Sequence, residues 1–223
     1  MSCSVRFTFI RHAETESNAF SDDLLHGLDP EVQLTSNGKQ QAKRLGLFFK
    51  QSGIVFTHAY TSQTLRTRET ARLCFIEMGC SLSITGDQRI SERDVGDWEG
   101  LKRAVIYERP DVKEARTKDV WNQIPGDSQR GESHCMVAKR MYEWLKEKIE
   151  EYSSKDSDQH IIVFSHALAI KCLLAEVLDL NKSTAWREDV NPVTNTSVTE
   201  LFFRNKQALP ELIKRNNVEH LKV

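Results

Sequence analysis

The sequence predicts an α/β protein, a three-layer sandwich with a mostly parallel central sheet and helices on both faces. Three apolar runs rich in β-branched and aromatic residues are each followed by a helical pattern, the alternation of a parallel sheet. One of them, Ile161-Ile162-Val163-Phe164, is apolar at every position, as a strand is when both faces are covered. At 223 residues and 39% hydrophobic, the chain is long enough for one large core. No linker, repeat or low-complexity tract marks a boundary, so residues 1–223 are expected to form one domain, with an excursion on the substrate side at about 101–131 and a polar C-terminal tail.

Taken in order, Val5, Phe7 and Phe9 alternate like a strand entering a core, and the pattern stops at Arg11-His12. Ser17 to Gln33 reads as a loop or short helix ending in a turn at Gly27 and Pro30. Thr35 is the expected N-cap of a helix carrying Ala42, Leu45 and Phe49 and ending near Gly53. Ile54 to Tyr60 reads as a second strand, followed by a helix with Ser62 as candidate N-cap and Ala71, Cys74, Phe75 and Met78 on its apolar face. Gly79 is placed to end that helix. Arg66 lies just past its first turn, where the guanidinium and the positive helix end can serve one anion; Arg68 and Arg72 are expected to face solvent. A short strand is expected at Ser81 to Thr85, a loop at Ile90 to Gly100, and a helix around Leu101 to Tyr107 ahead of an irregular stretch reaching Gly131. Val137, Met141, Trp144, Leu145, Ile149 and Tyr152 form one face of a long helix, and the strand at Ile161 to Phe164 runs through Ser165-His166-Ala167 into an apolar helix from Leu168 to Leu180. Thr196 to Phe203 reads as the last strand, and the tail beyond Asn205 carries no signal.

Lys plus Arg total 31 against 32 Asp plus Glu, so bulk attraction to nucleic acid or an anionic membrane is not expected and any phosphate recognition must be local. Five cysteines without a C-x-x-C pair signal neither a zinc site nor a disulfide framework and fit a reducing compartment. With no signal-like N-terminus or bilayer-length apolar run, the expected location is the cytoplasm, the nucleus not being excluded. Composition is silent on oligomeric state.

Arg11-His12, Arg66 and His166 all follow strands. In a parallel sheet such residues converge on a cleft beyond the carboxyl ends. Singly, each has an ordinary explanation as a solvated or satisfied polar residue; their shared placement points to an anion site with an imidazole nucleophile.

The arrangement resembles the histidine phosphatase superfamily, also called the phosphoglycerate mutase-like family. Its Arg-His-Gly-x-Thr signature with a following Asn is similar to Arg11-His12-Ala13-Glu14-Thr15 with Asn18. The matches continue in family order: Leu34-Thr35-Ser36-Asn37-Gly38-Lys39-Gln40-Gln41-Ala42; Ser62, Arg66 and Thr70; Glu92-Arg93-Asp94-Val95-Gly96 with Glu99-Gly100; Gly131-Glu132-Ser133; and Ser165-His166-Ala167. Ala13 and Ala167 replace the commoner glycines, the smallest change available.

The resemblance implies a phosphoglycerate mutase-like fold and a metal-independent phosphatase without a cofactor. His12 would attack phosphorus to give a phosphohistidine, presenting one neutral ring nitrogen while the other donates to a carbonyl. Arg11 and Arg66 would clamp the phosphoryl oxygens, with His166 and Asn18 as further donors and Thr15 and Ala167 beside them. Glu92 would protonate the leaving group, and Glu132 and Ser133 would line the substrate side. Glu99 is expected to be a solvated loop residue, as are Glu14 and Glu16 beside the signature. The wording around Phe56 to Thr67 is similar to fructose-2,6-bisphosphatases of the TIGAR type, which points to a phosphorylated small molecule such as a sugar bisphosphate, with Arg93, Lys102 and Arg103 available for a second phosphate. The alternatives are a phosphoprotein phosphatase, a phosphoglycerate mutase, disfavoured because Leu101 to Gly131 has no adjacent arginine pair, and a catalytically silent phospho-ligand-binding module.

Overall fold

A computed structural model describes residues 3–19, 24–187 and 189–222, so positions 20–23 of the expected 17–33 loop lie outside the described residues. Six strands form one sheet, in the order β3-β2-β4-β1-β5-β6. β1 (Val5–Arg11) lies parallel to β4 (Gln159–Ser165), which is parallel to β2 (His58–Thr61), itself parallel to β3 (Ile84–Gly86). β5 (Val198–Phe203) and β6 (Glu211–Asn217) complete one flank as antiparallel strands. The predicted α/β class with a mostly parallel sheet is the observed one.

Alternation along the central strands builds two cores, one on each face. Val5, Phe7 and Phe9 of β1 and Ile161 and Val163 of β4 pack against α6 (His134–Ser153) and α7 (Ala167–Val177), with the Phe7 and Phe9 rings edge-on to buried Trp144. Ile10, Ile162 and Phe164 point the other way, onto Leu45 and Phe49 of α2 (Ser36–Gln51) and Ala71, Cys74 and Phe75 of α3 (Leu65–Met78). Each fully buried apolar side chain contributes about 1.5–3 kcal/mol, so these two layers hold the strand ends, and the polar residues on them, in place. The described residues contain no helix long and apolar enough to cross a membrane.

Several boundaries differ from the sequence-based expectation. Thr35 caps α2 as expected, its hydroxyl accepting from Gly38 N. The second strand pairs only from His58: Phe56 is buried but Val55 is 78% exposed, so this chain enters the sheet from the surface. Ser62 is not the cap of α3; Thr64 holds that position, and Gly79 closes the helix at φ 70°. α7 ends at Val177, short of Leu180. The excursion carries a helix after Tyr107 and is irregular only from Val120: behind α1 (Glu16–Ala19) in chain order, α4 (Arg103–Glu108) meets α5 (Pro110–Asp119), where Pro110 starts a helix that a proline can begin but not continue. The tail is also structured, since β6 pairs with β5. Its exposed Leu212 and Ile213 show why no alternation announced it: an edge strand with both faces partly wet has no period to read.

Candidate active site

β1, β2 and β4 end side by side, and the turns beyond them carry the reactive groups. His12 N continues the parallel ladder by donating to Ser165 O at 3.0 Å, which sets the two histidine-bearing turns together. The His12 and His166 rings lie 5.3 Å apart, centroid to centroid. His12 Nδ1 is 2.8 Å from Ala13 O, and a carbonyl can only accept, so Nδ1 carries the proton and Nε2 keeps its lone pair. Burial, then the charges of Arg11 and Arg66, hold His12 well below the usual imidazole range, so the ring is neutral at physiological pH.

Arg66 is buried beside it. Its Nη1 and Nη2 donate to the carbonyls of Asp29 and Gly27, each at 2.8 Å, and its Nε donates to His166 Nδ1 at 3.3 Å. Because Nδ1 accepts, the His166 proton sits on Nε2, 2.7 Å from Ser62 Oγ. Ser62, His166 and Arg66 thus form one buried chain, and both His166 nitrogens face protein partners. His166 is also held neutral, by burial first and then by Arg66. Arg11 Nη1 donates to Val193 O at 2.9 Å. Asn18 Oδ1 accepts from Thr15 Oγ1 at 3.0 Å and from Asn195 Nδ2 at 3.1 Å, and Asn195 Nδ2 also reaches His12 O at 3.0 Å. Glu92 comes from the irregular segment after β3, and its carboxylate accepts from Arg93 N at 2.8 Å and from Leu168 N, in the first turn of α7, at 3.2 Å.

These groups open onto a cavity of about 390 Å³ lined by Arg11, His12, Thr15, Asn18, Arg66, Glu92 and Ala167. Its far wall carries Arg93, Arg103, Arg116 and Lys171 together with His134, Tyr107 and Trp186. Arg116 is held between two rings, its Cζ 4.1 Å from the Tyr107 centroid and 4.8 Å from that of Trp186. His134 is lowered to about 2 by burial and then by Arg93, Arg116 and Lys171, so it stands neutral among cations. Among the described residues, Arg93 Nε and His134 Nδ1 are buried polar atoms without a hydrogen-bond partner.

Glu132 and Ser133 are not brought to the cavity wall. Glu132 pairs with Arg140, and Ser133 caps α6 by accepting from Met136 N at 3.2 Å. Lys102 is likewise outside the lining, whereas Arg93 and Arg103 are part of it. Glu99 is no solvated loop residue: it accepts from Gly27 N at 2.9 Å and from Leu28 N at 3.2 Å, bracing the loop whose carbonyls hold Arg66. With His26 and Asp29 it brings ligand-type atoms within 4.8 Å of one another, the grouping among the described residues with metal-site spacing; those backbone bonds account for it as a brace. Glu14 also departs from expectation, bonding Thr35 Oγ1 at 2.7 Å, while Glu16 is exposed.

A model of the histidine phosphatase superfamily (branch 1) matches residues 7–217. The chain belongs to this superfamily. It is 29% identical over 205 residues to a probable phosphoglycerate mutase, GpmB, of Salmonella paratyphi B, covering 90% of this chain and 86% of the relative. Its fold is similar to phosphoglycerate mutase from Bacillus anthracis, with a TM-score of 0.81 at 20% identity and coverage of 99% and 96%. It is also similar to phosphoserine phosphatase from Entamoeba histolytica, solved with 3-phosphoglyceric acid, with a TM-score of 0.78 at 22% identity and coverage of 97% and 99%. Within this superfamily member, Asn195, Ser62, Tyr107, Arg116, His134, Lys171 and Trp186 are among the site residues that sequence reasoning left unassigned. Only Ser62 had a signal, its place in the motif with Arg66.

Proposed function

We propose that this histidine phosphatase superfamily member is a metal-independent phosphomonoesterase acting on a small phosphoester that carries a second acidic group, such as a sugar bisphosphate. The observation that supports this most is a neutral His12 nitrogen opening onto a small cavity whose near and far walls both carry guanidinium groups. His12 Nε2 attacks phosphorus, the N–P bond forms, and the bond to the leaving oxygen breaks. Glu92, protonated at that moment, gives its proton to the leaving alkoxide. Water then attacks the phosphohistidine, Glu92 takes back a proton, and inorganic phosphate leaves with His12 restored. Arg11 and Arg66 meet the equatorial oxygens, supplying from side chains the positive charge that phosphoryl transfer needs. His166 acts beside them, through Arg66 in the arrangement described above, with Asn18, Thr15 and the Ala167 turn completing the cradle.

The far wall argues for the second acidic group. Arg93, Arg116 and Lys171 surround a neutral imidazole, and an incoming carboxylate or phosphate would satisfy the unpartnered Arg93 Nε. A cavity of about 390 Å³ suits a metabolite better than a folded phosphoprotein. Five unpaired cysteines fit a reducing cytoplasmic setting.

The test is a steady-state screen of phosphorylated metabolites and phosphopeptides, with the His12→Ala protein as blank. Release of phosphate from a compound with two acidic groups, abolished in the blank, is the expected result; equal rates in the two proteins would overturn the mechanism. The 29% identical relative named as a probable mutase makes phosphoglycerate mutase activity the second reading. Isomerised phosphoglycerate without phosphate release in the same screen would establish that reading instead.

A further inference from the structure

Arg140 stands on α6, outside the cavity lining, yet it is tied to the segment that carries Glu92. All five of its N–H donors are placed. Nε donates to Glu132 Oε1 at 2.8 Å and Nη2 to Glu132 Oε2 at 2.9 Å, a bidentate pair. Nη1 donates to Arg89 O at 2.7 Å and Ser91 O at 2.9 Å, and Nη2 also reaches Glu92 O at 2.9 Å. Ser165, the residue before His166, fills the gap by donating from Oγ to Ile90 O at 2.7 Å. Carbonyls 89 through 92 are therefore each held by a side chain of the core rather than by a strand or helix partner. Glu132 closes the far side: its N donates to Asp94 O at 2.8 Å and its carboxylate accepts from Asp94 N at 3.1 Å.

We infer that Arg140, with Glu132 as its counter-ion, is the positioning residue for Glu92, fixing the carboxyl group against the leaving oxygen without touching substrate. The inference rests on Glu92 acting as the acid. Three physical points carry it. A guanidinium has five N–H groups, so none of Arg140's remains for a ligand. Its fork is rigid, and each carbonyl it grips belongs to Glu92 or lies within three residues of it, so the segment is fixed as a unit. Misplacing a reacting group by about 1 Å costs on the order of a hundredfold in rate, which makes a clamp at this point consequential. Lysine cannot reproduce it, having three donors on one atom and no fork.

The experiment compares Arg140→Lys, Glu92→Gln and the double variant on 4-nitrophenyl phosphate, whose leaving group needs little protonation, and on an alkyl phosphate, whose leaving group needs it fully. Arg140→Lys is expected to lower kcat on the alkyl ester by about tenfold or more and on the nitrophenyl ester by less than about threefold, with KM for both unchanged. In the double variant the alkyl rate should equal that of Glu92→Gln alone, because the clamp acts only through that carboxyl group. Equal slowing of both esters by Arg140→Lys, or additive losses in the double variant, would show a general structural role and overturn the inference. If Glu92→Gln itself slows both esters equally, the acid assignment fails, and the inference with it. Should Arg140→Lys not fold, as judged by circular dichroism, Glu132→Gln loosens the same clamp with Arg140 retained and must give the same leaving-group pattern, or the inference is wrong.

Discussion

The protein should lose stability steeply as pH falls from 7 to 5, and its buried histidines set the amount. His12 and His166 are held well below the ordinary imidazole range, and His134 is lowered to about 2, each chiefly by burial. A histidine with a depressed native pKa binds a proton between that value and about 6.5 only when the chain unfolds, so its contribution is full above 6.5 and is lost as pH drops. One pKa unit corresponds to about 1.4 kcal/mol, so between pH 7 and 5 His134 and, both lowered to about 4, His160 and His220 cost about 2 kcal/mol each, or about 6 kcal/mol together; His12 and His166 act in the same direction. Against a total stability of about 5–15 kcal/mol this is a large part, and at about 2–4 °C per kcal/mol the melting temperature should fall by about 12 °C or more. Thermal or urea unfolding followed by circular dichroism at half-unit pH steps measures it. His134→Phe, which removes one of the titrating groups from between Trp121 and Trp186, should reduce the loss by about 2 kcal/mol. A melting temperature constant within about 2 °C from pH 7 to 5 would refute the premise that these rings are buried and neutral.

Other outcomes follow from the same contacts. Ser62→Ala removes the partner of His166 Nε2 in a fully buried chain, so kcat should fall about tenfold and stability by about 1–3 kcal/mol; an unchanged kcat would detach Ser62 from the site. Glu99→Ala frees the N–H groups of Gly27 and Leu28, the loop that grips Arg66, and should raise KM more than it lowers kcat in a phosphate-release assay. Gly38→Ala would place a Cβ 2.1 Å from Glu14 O, forcing α2 away from the signature turn at a cost of about 1–3 kcal/mol, readable as a lower melting temperature with kcat reduced as well.

Strong periodicity made the central elements legible. Val5, Phe7 and Phe9 alternate because one side of β1 meets Trp144, and Ile161 to Phe164 is apolar throughout because β4 is covered twice. Arg11, His12, Arg66, Glu92 and Ala167 lie on the cavity, as motif order implied, and His166 lies directly behind them. What escaped was set by contacts between distant segments. Ser62 looks like a helix cap, but its hydroxyl serves a histidine 104 positions away. Asn195 reaches His12 O because Thr196, at φ 55° and fully buried, turns the backbone through a conformation rare for a β-branched residue. Glu132 carries no periodic signal that separates gripping Arg140 from facing a ligand, and only the fold decides between them. The β6 edge and α5 have weak or no amphipathic pattern because they bury almost nothing, Val112 being the one buried residue of α5 and no residue of β6 being buried.

The clasp of Arg116 between Tyr107 and Trp186 is built from α4, α5 and the 181–187 connection. None of those segments carries His12, Arg11, Arg66, Glu92 or His166. On the proposed function, selector and reactor are separate parts of one chain, so replacing the clasp is expected to change which molecule is held while the bond broken stays the same. Directed evolution toward new phosphoesters would do best to randomise positions 107, 116 and 186 and leave the carboxyl ends of β1, β2 and β4 alone.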